Sequence, residues 1–464
     1  MDEKDHIIAQ LQAVIQQQAM QIRLLTERIA KLEEEIARLK RNSSNSSKPP
    51  SSDIVKPPPP GPRRKGKRKR GGQQGHRRNL RPAFPPEQVD QIITHELPDT
   101  TGLRPLNDWR VVQQVELVDR PFVVIEHRAR RYRCRRTGEI LTAPVPPEVA
   151  RAGLLGPRLS ALVAYQKGAC HMSYATIQAF LRDVLGVPVS TGQLAKVVRK
   201  ASAALAGAYD QLAQALPGQP ILGVDETGHK DRGQSHWTWC FRAAGFTLYK
   251  IDPSRGSAVL RETLGESFAG VLGCDYFSAY RKYMADSGAT VQFCLAHLIR
   301  EVRFLAQSAD KVLKNWAGKL LGHLRTLFGT LHRREKLPAG RFARAMDGVR
   351  RAFLRQVARP PDRTEARTLA QRFRQHGESY FTFLTQPGVA PTNNLTEQAI
   401  RHVVIDRKVT QGTRGTVGQR WCECVWTLLA SCAQQGRSAF AFLVDSLLAH
   451  FHGQPSPSLL PEKP

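Results

Sequence analysis

The sequence predicts a multidomain α/β protein, and three observations carry that expectation. The chain has 464 residues, too many for one ordinary core, and 41% of them are hydrophobic, enough to build several. Two short apolar runs, Ile221–Val224 and Val271–Cys274, each lead into an acid, Asp225 and Asp275, in the manner of sheet strands. The remainder alternates helix-forming blocks with a long Ser/Pro-rich and basic segment. Lys and Arg total 69 against 40 Asp and Glu, a formal net charge of +29. A soluble chain this basic usually meets a polyanion, most commonly DNA or RNA. No apolar run approaches a membrane span, and the first residues are polar and acidic, so neither a membrane partner nor a signal peptide is expected. Eight scattered cysteines without framework spacing suit a reducing cytoplasm.

Residues 1–41 form the first predicted element. Ile8, Ile15, Ile22, Ile29 and Ile36 recur every seventh residue, and Leu11, Leu25, Leu32 and Leu39 follow three later, with Gln18 breaking the second series. Isoleucine at a and leucine at d favour a parallel two-stranded coiled coil, hence a homodimer. A helix docked on the chain's own core is the competing reading.

Residues 42–86 follow as a Ser/Asn/Pro linker and a basic arm. Arg63, Arg64, Lys65, Lys67, Arg68, Lys69, Arg70, His76, Arg77 and Arg78 are its candidate DNA-binding residues, with Arg81 beyond, and no acid lies between Asp53 and Glu87. Each cation that meets a phosphate releases condensed counterion. A solvated linker without a target is the bland alternative. A basic-zipper regulator is excluded by order, because there the basic helix precedes the zipper and runs into it continuously.

Further along, residues 87–150 read as a small strand-containing module and 151–218 as a helical domain. There Ser190 opens a helix, with a helix-turn-helix or a plain spacer as readings. Residues 219–436 carry the candidate catalytic core. His236–Arg242 and Phe246–Ile251 read as strands, Ser257–Leu264 as a helix, and about 298–385 as a basic helical insertion. A final helix and tail occupy 437–464.

The candidate metal ligands and catalytic residues are Asp225, Asp275 and Glu397. A buried strand delivering a carboxylate to its end is how α/β sheets present catalytic groups, although either aspartate alone is more often a turn former. Glu397 follows Asn394 by three residues, so a capping box competes with a catalytic role. Arg401, Arg407, Lys408 and Arg414 surround a Gly/Thr loop, Gln411–Gly415, whose open amides would suit a phosphodiester. Three carboxylates suffice for two Mg²⁺ ions, which keep several waters, and Mn²⁺ can substitute. Cys422, Cys424 and Cys432 read as core.

Taken together, the zipper, the Asn-Ser-Ser-Asn-Ser-Ser-Lys-Pro-Pro linker, Gly71-Gly72-Gln73-Gln74-Gly75-His76, Val224-Asp225-Glu226-Thr227, Asp275-Tyr276-Phe277-Ser278-Ala279-Tyr280, Cys294-Leu295-Ala296-His297 and Asn393-Asn394-Leu395-Thr396-Glu397 resemble transposases of the insertion-sequence sixty-six family. The resemblance implies a ribonuclease-H-like mixed-sheet catalytic core with a helical insertion, preceded by a coiled coil, a basic linker and small DNA-binding modules. It implies an Asp-Asp-Glu triad, Mg²⁺, cleavage at transposon ends and strand transfer into target DNA. Double-stranded DNA is the implied partner, with element-encoded accessory proteins, in the bacterial cytoplasm at the nucleoid. His297 and Arg300 fall where they would support a phosphate or the active site.

One departure is plain. The family's zinc module uses two Cys-x-x-Cys pairs, but here Cys134 stands alone, with Thr137 where its partner would be. No zinc is expected there, and Cys294 with His297 reads as a strand-end and helix-start pair near phosphate, not as a zinc site. A catalytically inactive, transposase-derived DNA-binding or regulatory protein is the alternative function, and a nuclease without strand transfer shares the metal chemistry.

Overall fold

The computed structural model describes residues 3–40, 82–99, 101, 104 and 110–461. The basic arm from Arg63 to Arg78 lies outside the described residues. The chain divides into two compact units, one of residues Pro58–His127 and one of Met1–Pro57 with Arg128–Pro464.

In the smaller unit, the side-chain amide of Gln113 accepts from the Phe84 amide and donates to the Phe84 carbonyl. A short 3-10 turn, Pro86–Gln88, follows.

Within the larger unit, helix α1 spans Glu3–Lys40. Its seam residues Ile8, Leu11, Ile15, Ile22, Leu25, Ile29, Leu32 and Ile36 are all exposed. A two-stranded hairpin follows, β1 (Arg131–Arg133) with β2 (Ile140–Thr142). Cys134 sits at its turn, where Thr137 bonds the thiol and lowers its pKa. Helices α2 (Pro147–Ala152), α3 (Pro157–Gly168), α4 (Tyr174–Asp183) and α5 (Thr191–Ala215) come next. The Ser190 side chain accepts from the Gln193 amide, so α5 starts with the expected cap. The α4–α5 connection, residues 184–190, is longer than the roughly 3–4-residue turn of a helix-turn-helix, which favours a plain helical block.

The five-stranded sheet is mixed. Strands β3 (Ile221–Asp231), β4 (Gln234–Arg242) and β5 (Thr247–Asp252) form an antiparallel meander. Arg232 and Gly233, at φ 49° and 80°, make the two-residue hairpin whose left-handed backbone matches strand twist. Helix α6 (Ser257–Leu264) crosses to β6 (Val271–Cys274), and α7 (Ser278–Ser287) crosses to β7 (Thr290–Phe293). Both lie parallel to β3, giving the order β5-β4-β3-β6-β7.

Helices α8 (Leu295–Leu305), α9 (Lys311–Leu331), α10 (Ala339–Val357) and α11 (Thr364–His376) leave the sheet after β7. The chain returns along β7, where the buried Gln292 side chain accepts from the Phe383 amide and donates to the Tyr380 carbonyl. Helix α12 (Asn394–Thr410) then crosses β3, and α13 (Thr416–Gln435) and α14 (Ala439–His452) close the fold.

One feature of α13 protects the sheet. Glu423, Thr427 and Ser431, four apart on one helix face, accept from the amides of Ile251, Tyr249 and Thr247 on edge strand β5. An edge with free amides invites pairing with another chain, and these side chains satisfy them. Cys424 and Cys432 are buried in this helix, and Cys422 is half-buried. No helix among the described residues is long and apolar enough to cross a membrane.

Candidate active site

Asp225 does not end its strand, contrary to the expected run, acid and turn: β3 continues to Asp231 because Asp225 through Asp231 pair with β4. What ends there is the parallel pairing. Ile221, Leu222 and Gly223 pair with Val271, Leu272 and Gly273. Two residues further, Asp225 within β3 and Asp275 just past the end of β6 stand at matching positions, and neighbouring strands lie about 4.8 Å apart. Gly223 faces α12, since a Cβ there would lie 2.1 Å from Thr396 Oγ1. Side chains alternate along a strand, so Asp225 faces α12 too and Glu226 faces the opposite side.

Both aspartates are half-buried. Loss of hydration, then the charges of Glu226, Asp275 and Glu397, hold the Asp225 carboxyl well above the usual range. Burial and Glu226 push Asp275 up to about 7, against the Phe277 amide that donates to its Oδ1.

Behind the pair lies a network that the sequence reading missed. Glu226 is buried, and Arg255 donates to its Oε1 from Nε at 2.8 Å and approaches it from Nη2 at 2.7 Å. Tyr280 donates its hydroxyl to the other oxygen. The guanidinium stands over the Trp237 and Phe277 rings, 4.4 and 3.8 Å from their centroids. Because the Phe277 amide holds Asp275, Arg255 links the far side of β3 to the turn that presents Asp275. The only cue was Glu226 itself, directly after Asp225. Arg255→Ala is expected to cost about 3 kcal/mol in urea unfolding, the lower end for stranding a buried charge because Arg255 is a third exposed. A loss under about 1 kcal/mol would mean that Glu226 does not need its counter-charge.

Glu397 occupies the first turn of α12, but not in a capping box. The N-cap is Asn393, one residue earlier than expected, and its side chain makes no cap bond. Its Nδ2 instead donates to the Val224 carbonyl at 2.8 Å, pinning the start of α12 to β3 beside Asp225. Glu397 turns to α8, where Arg300 Nη2 donates to both its oxygens at 2.9 and 3.1 Å. His297 Nδ1 lies 3.6 Å from Glu397 Oε1. Burial and Arg300 hold the His297 imidazole down to about 3, so it is neutral at physiological pH. Among the described residues, Cys294, His297 and Glu397 are the one set whose ligand atoms gather within 4.8 Å. Glu423, further downstream, is committed to β5.

At its other end α12 is held by Asp406, which binds His171 at 3.0 Å and accepts from Trp426 Nε1 at 3.1 Å.

The basic candidates divide. Arg401, Lys408 and Arg414 are exposed, whereas Arg407 is half-buried and donates to Thr227 on β3 at 3.1 Å. Four of the expected open amides of the Gly/Thr loop are taken. The Thr413 amide donates to the Lys230 carbonyl and the Gly415 amide to Asp231 Oδ1. Those of Gln411 and Gly412 go to the Arg407 carbonyl and Thr410 Oγ1. Asp231 thus takes the Gly415 amide and the Thr413 hydroxyl, and Gly412, at φ 96°, is required because a Cβ would meet the Lys230 carbonyl oxygen at 2.0 Å.

Comparison with known proteins places the chain. Two relatives from Sinorhizobium fredii are each 24% identical to it. "Uncharacterized protein y4qI" aligns over 80% of this chain and 74% of its own. "Uncharacterized protein y4hP" aligns over 73% of this chain and 67% of its own. Residues 2–82 match a family of unknown function, DUF6444. Residues 152–420, which include both strand aspartates, Glu397 and the whole sheet, match the Transposase IS66 family, and the chain belongs to that family.

Proposed function

We propose that this protein is an active DNA transposase. Asp225, Asp275 and Glu397 hold Mg²⁺, DNA is cut at transposon ends, and the freed 3′-hydroxyl is joined to target DNA. The observation that supports the reading is that two acid-bearing strands and the helix bearing the third acid adjoin one another, although Glu397 itself is turned to Arg300. Parallel register aligns Asp225 with Asp275, and the Asn393–Val224 bond brings the first turn of α12 against the same strand. The strand order, the helix bearing the third acid and the helices inserted before it support a ribonuclease-H-like core.

The donor set fits a hard divalent cation. Carboxylates raised by burial and by one another are short of positive charge, and Mg²⁺ or Mn²⁺ favours oxygen ligands. When bound there, such ions would supply activation of the attacking oxygen and stabilisation of the leaving one. The protein's own groups orient the ligands: the Phe277 amide fixes Asp275, Arg255 braces that turn, and Asn393 fixes α12. Arg401, Lys408 and Arg414 present cations that would meet phosphates, and Arg63–Arg78 would add sequence-independent affinity.

The exposed seam of α1 supports coiled-coil dimerisation through residues 1–41. The division proposed for the rest is an arm over 42–86, a zinc-free module over 87–150, a helical domain over 151–218, the catalytic core over 219–436 and a tail over 437–464. Accessory proteins and a nucleoid location belong to the same reading.

Incubating the full chain with its element's end DNA and Mg²⁺ is expected to give 3′-hydroxyl ends and joined products. Asp225→Asn should give neither. Equal products from that variant, or from wild type with the metal chelated, would overturn the reading.

The raised carboxyls add a pH test. A carboxyl raised in the folded state costs stability as pH climbs from its unfolded value, 3.8, through its folded one, about 7 for Asp275. Mg²⁺ relieves that cost only once the proton has left. Mg²⁺ should therefore raise the Tm clearly at pH 8 and far less at pH 6, and an equal rise at both would exclude Asp275 as a ligand.

A further inference from the structure

We infer that Cys294, His297 and Glu397 form a site for a soft divalent cation of the zinc type, and that its occupation removes Glu397 from metal-dependent DNA cutting. The second half rests on the catalytic reading of Glu397; the first does not.

Cys294 caps α8 at the end of β7, and His297 stands three residues on, so both face one side of the first turn. Glu397 completes the set from α12, with all three ligand atoms within 4.8 Å of one another. His297 is 8% exposed, and its Nδ1 is buried without a hydrogen-bond partner. A buried ring nitrogen left unpaired, 3.6 Å from a carboxylate oxygen, is costly unless something binds it. Cys294 Sγ accepts the Asn393 amide at 3.2 Å, which fixes the sulfur beside His297 and Glu397.

Modest side-chain closure, to about 3.5 Å between ligand atoms, brings the three to the 2.0–2.3 Å bonds of a tetrahedral zinc shell, with water as the fourth ligand. On binding, the Cys294 thiol releases its proton to solvent, and the cation replaces Arg300 as the counter-charge of Glu397. Thiolate and imidazole select a soft or borderline ion, whereas Asp225 and Asp275 offer only oxygen and select a hard one. The two sites share one residue, so each ion competes for Glu397.

The test uses the full chain with Cys134→Ser and Cys170→Ser, which removes an exposed and a half-buried thiol. Added Co²⁺ should produce the near-ultraviolet absorption of a thiolate bound to cobalt, and Zn²⁺ should abolish it. Cys294→Ser in that background should lose the band and weaken Zn²⁺ binding at least about 100-fold, the upper range for losing even an outer partner. Zn²⁺ should also inhibit Mg²⁺-supported cleavage in the parent and spare the Cys294→Ser protein. No band, a band unaffected by Cys294→Ser, or equal zinc inhibition of both proteins would overturn the proposal. If the band depends on Cys294 but Glu397→Gln cleaves normally, the catalytic reading fails and the cation site stands. If Glu397→Gln is inactive and no band forms, the site fails and the catalytic reading stands.

Discussion

Glu397→Gln is expected to lower Mg²⁺-dependent cleavage at least about 1000-fold, roughly 4 kcal/mol of transition-state stabilisation. Glutamine keeps the length and hydrogen-bonding capacity of the side chain but not its charge, and a neutral amide is a poor ligand for Mg²⁺. Stability should change little. The Arg300 pair is partly solvated, with side chains 23% and 29% exposed, so its loss should cost about 1 kcal/mol or less. Thermal melting beside a cleavage assay separates the two effects. A glutamine protein that cleaves near the wild-type rate would remove Glu397 from the catalytic set.

Gly223→Ala is the second large effect, and it comes from a residue with no chemistry of its own. The added methyl would lie 2.1 Å from Thr396 Oγ1 and 3.0 Å from Asn393 Oδ1, both on buried side chains. Asn393 cannot yield without losing its bond to Val224, so the start of α12 must move off β3. Overpacking of this kind costs about 1–3 kcal/mol. The expected kinetic loss is greater, about 100-fold, because a displacement near 1 Å spoils the alignment of reacting groups. Thr396→Ala removes the obstructing oxygen, so the double variant Gly223→Ala/Thr396→Ala should recover most of the activity. A double variant no better than Gly223→Ala alone would show that the loss does not pass through α12.

Local pattern made several elements legible. The apolar runs before Asp225 and Asp275 are strands, Ser190 caps α5, and the helix over Ser257–Leu264 has the expected bounds. What escaped was set by partners far along the chain. Asp-Glu-Thr-Gly after Val224 reads as a turn because Asp and Gly favour turns, yet pairing with Thr238, Trp239 and Cys240 keeps it extended. Asn394 and Glu397 have capping-box spacing, but Asn393 is drawn to Val224 and Glu397 to Arg300, and these tertiary bonds move the cap by one residue. The amides of the Gly/Thr loop looked free because Asp231, which takes one of them, lies 184 residues earlier. Arg255 gave no local sign, since its role depends on Glu226 across 29 residues and on two rings.

The central claim, that Asp225, Asp275 and Glu397 share one divalent-metal centre, has a direct test. Fe²⁺ loaded in place of Mg²⁺, with ascorbate and peroxide, cuts the backbone next to the bound ion, and mass spectrometry locates the cuts. Cuts should cluster near residues 225, 275 and 397, fade as Mg²⁺ is added, and vanish in Asp275→Asn. Cuts confined to one of these segments, or unaffected by Mg²⁺ and by Asp275→Asn, would contradict a shared centre.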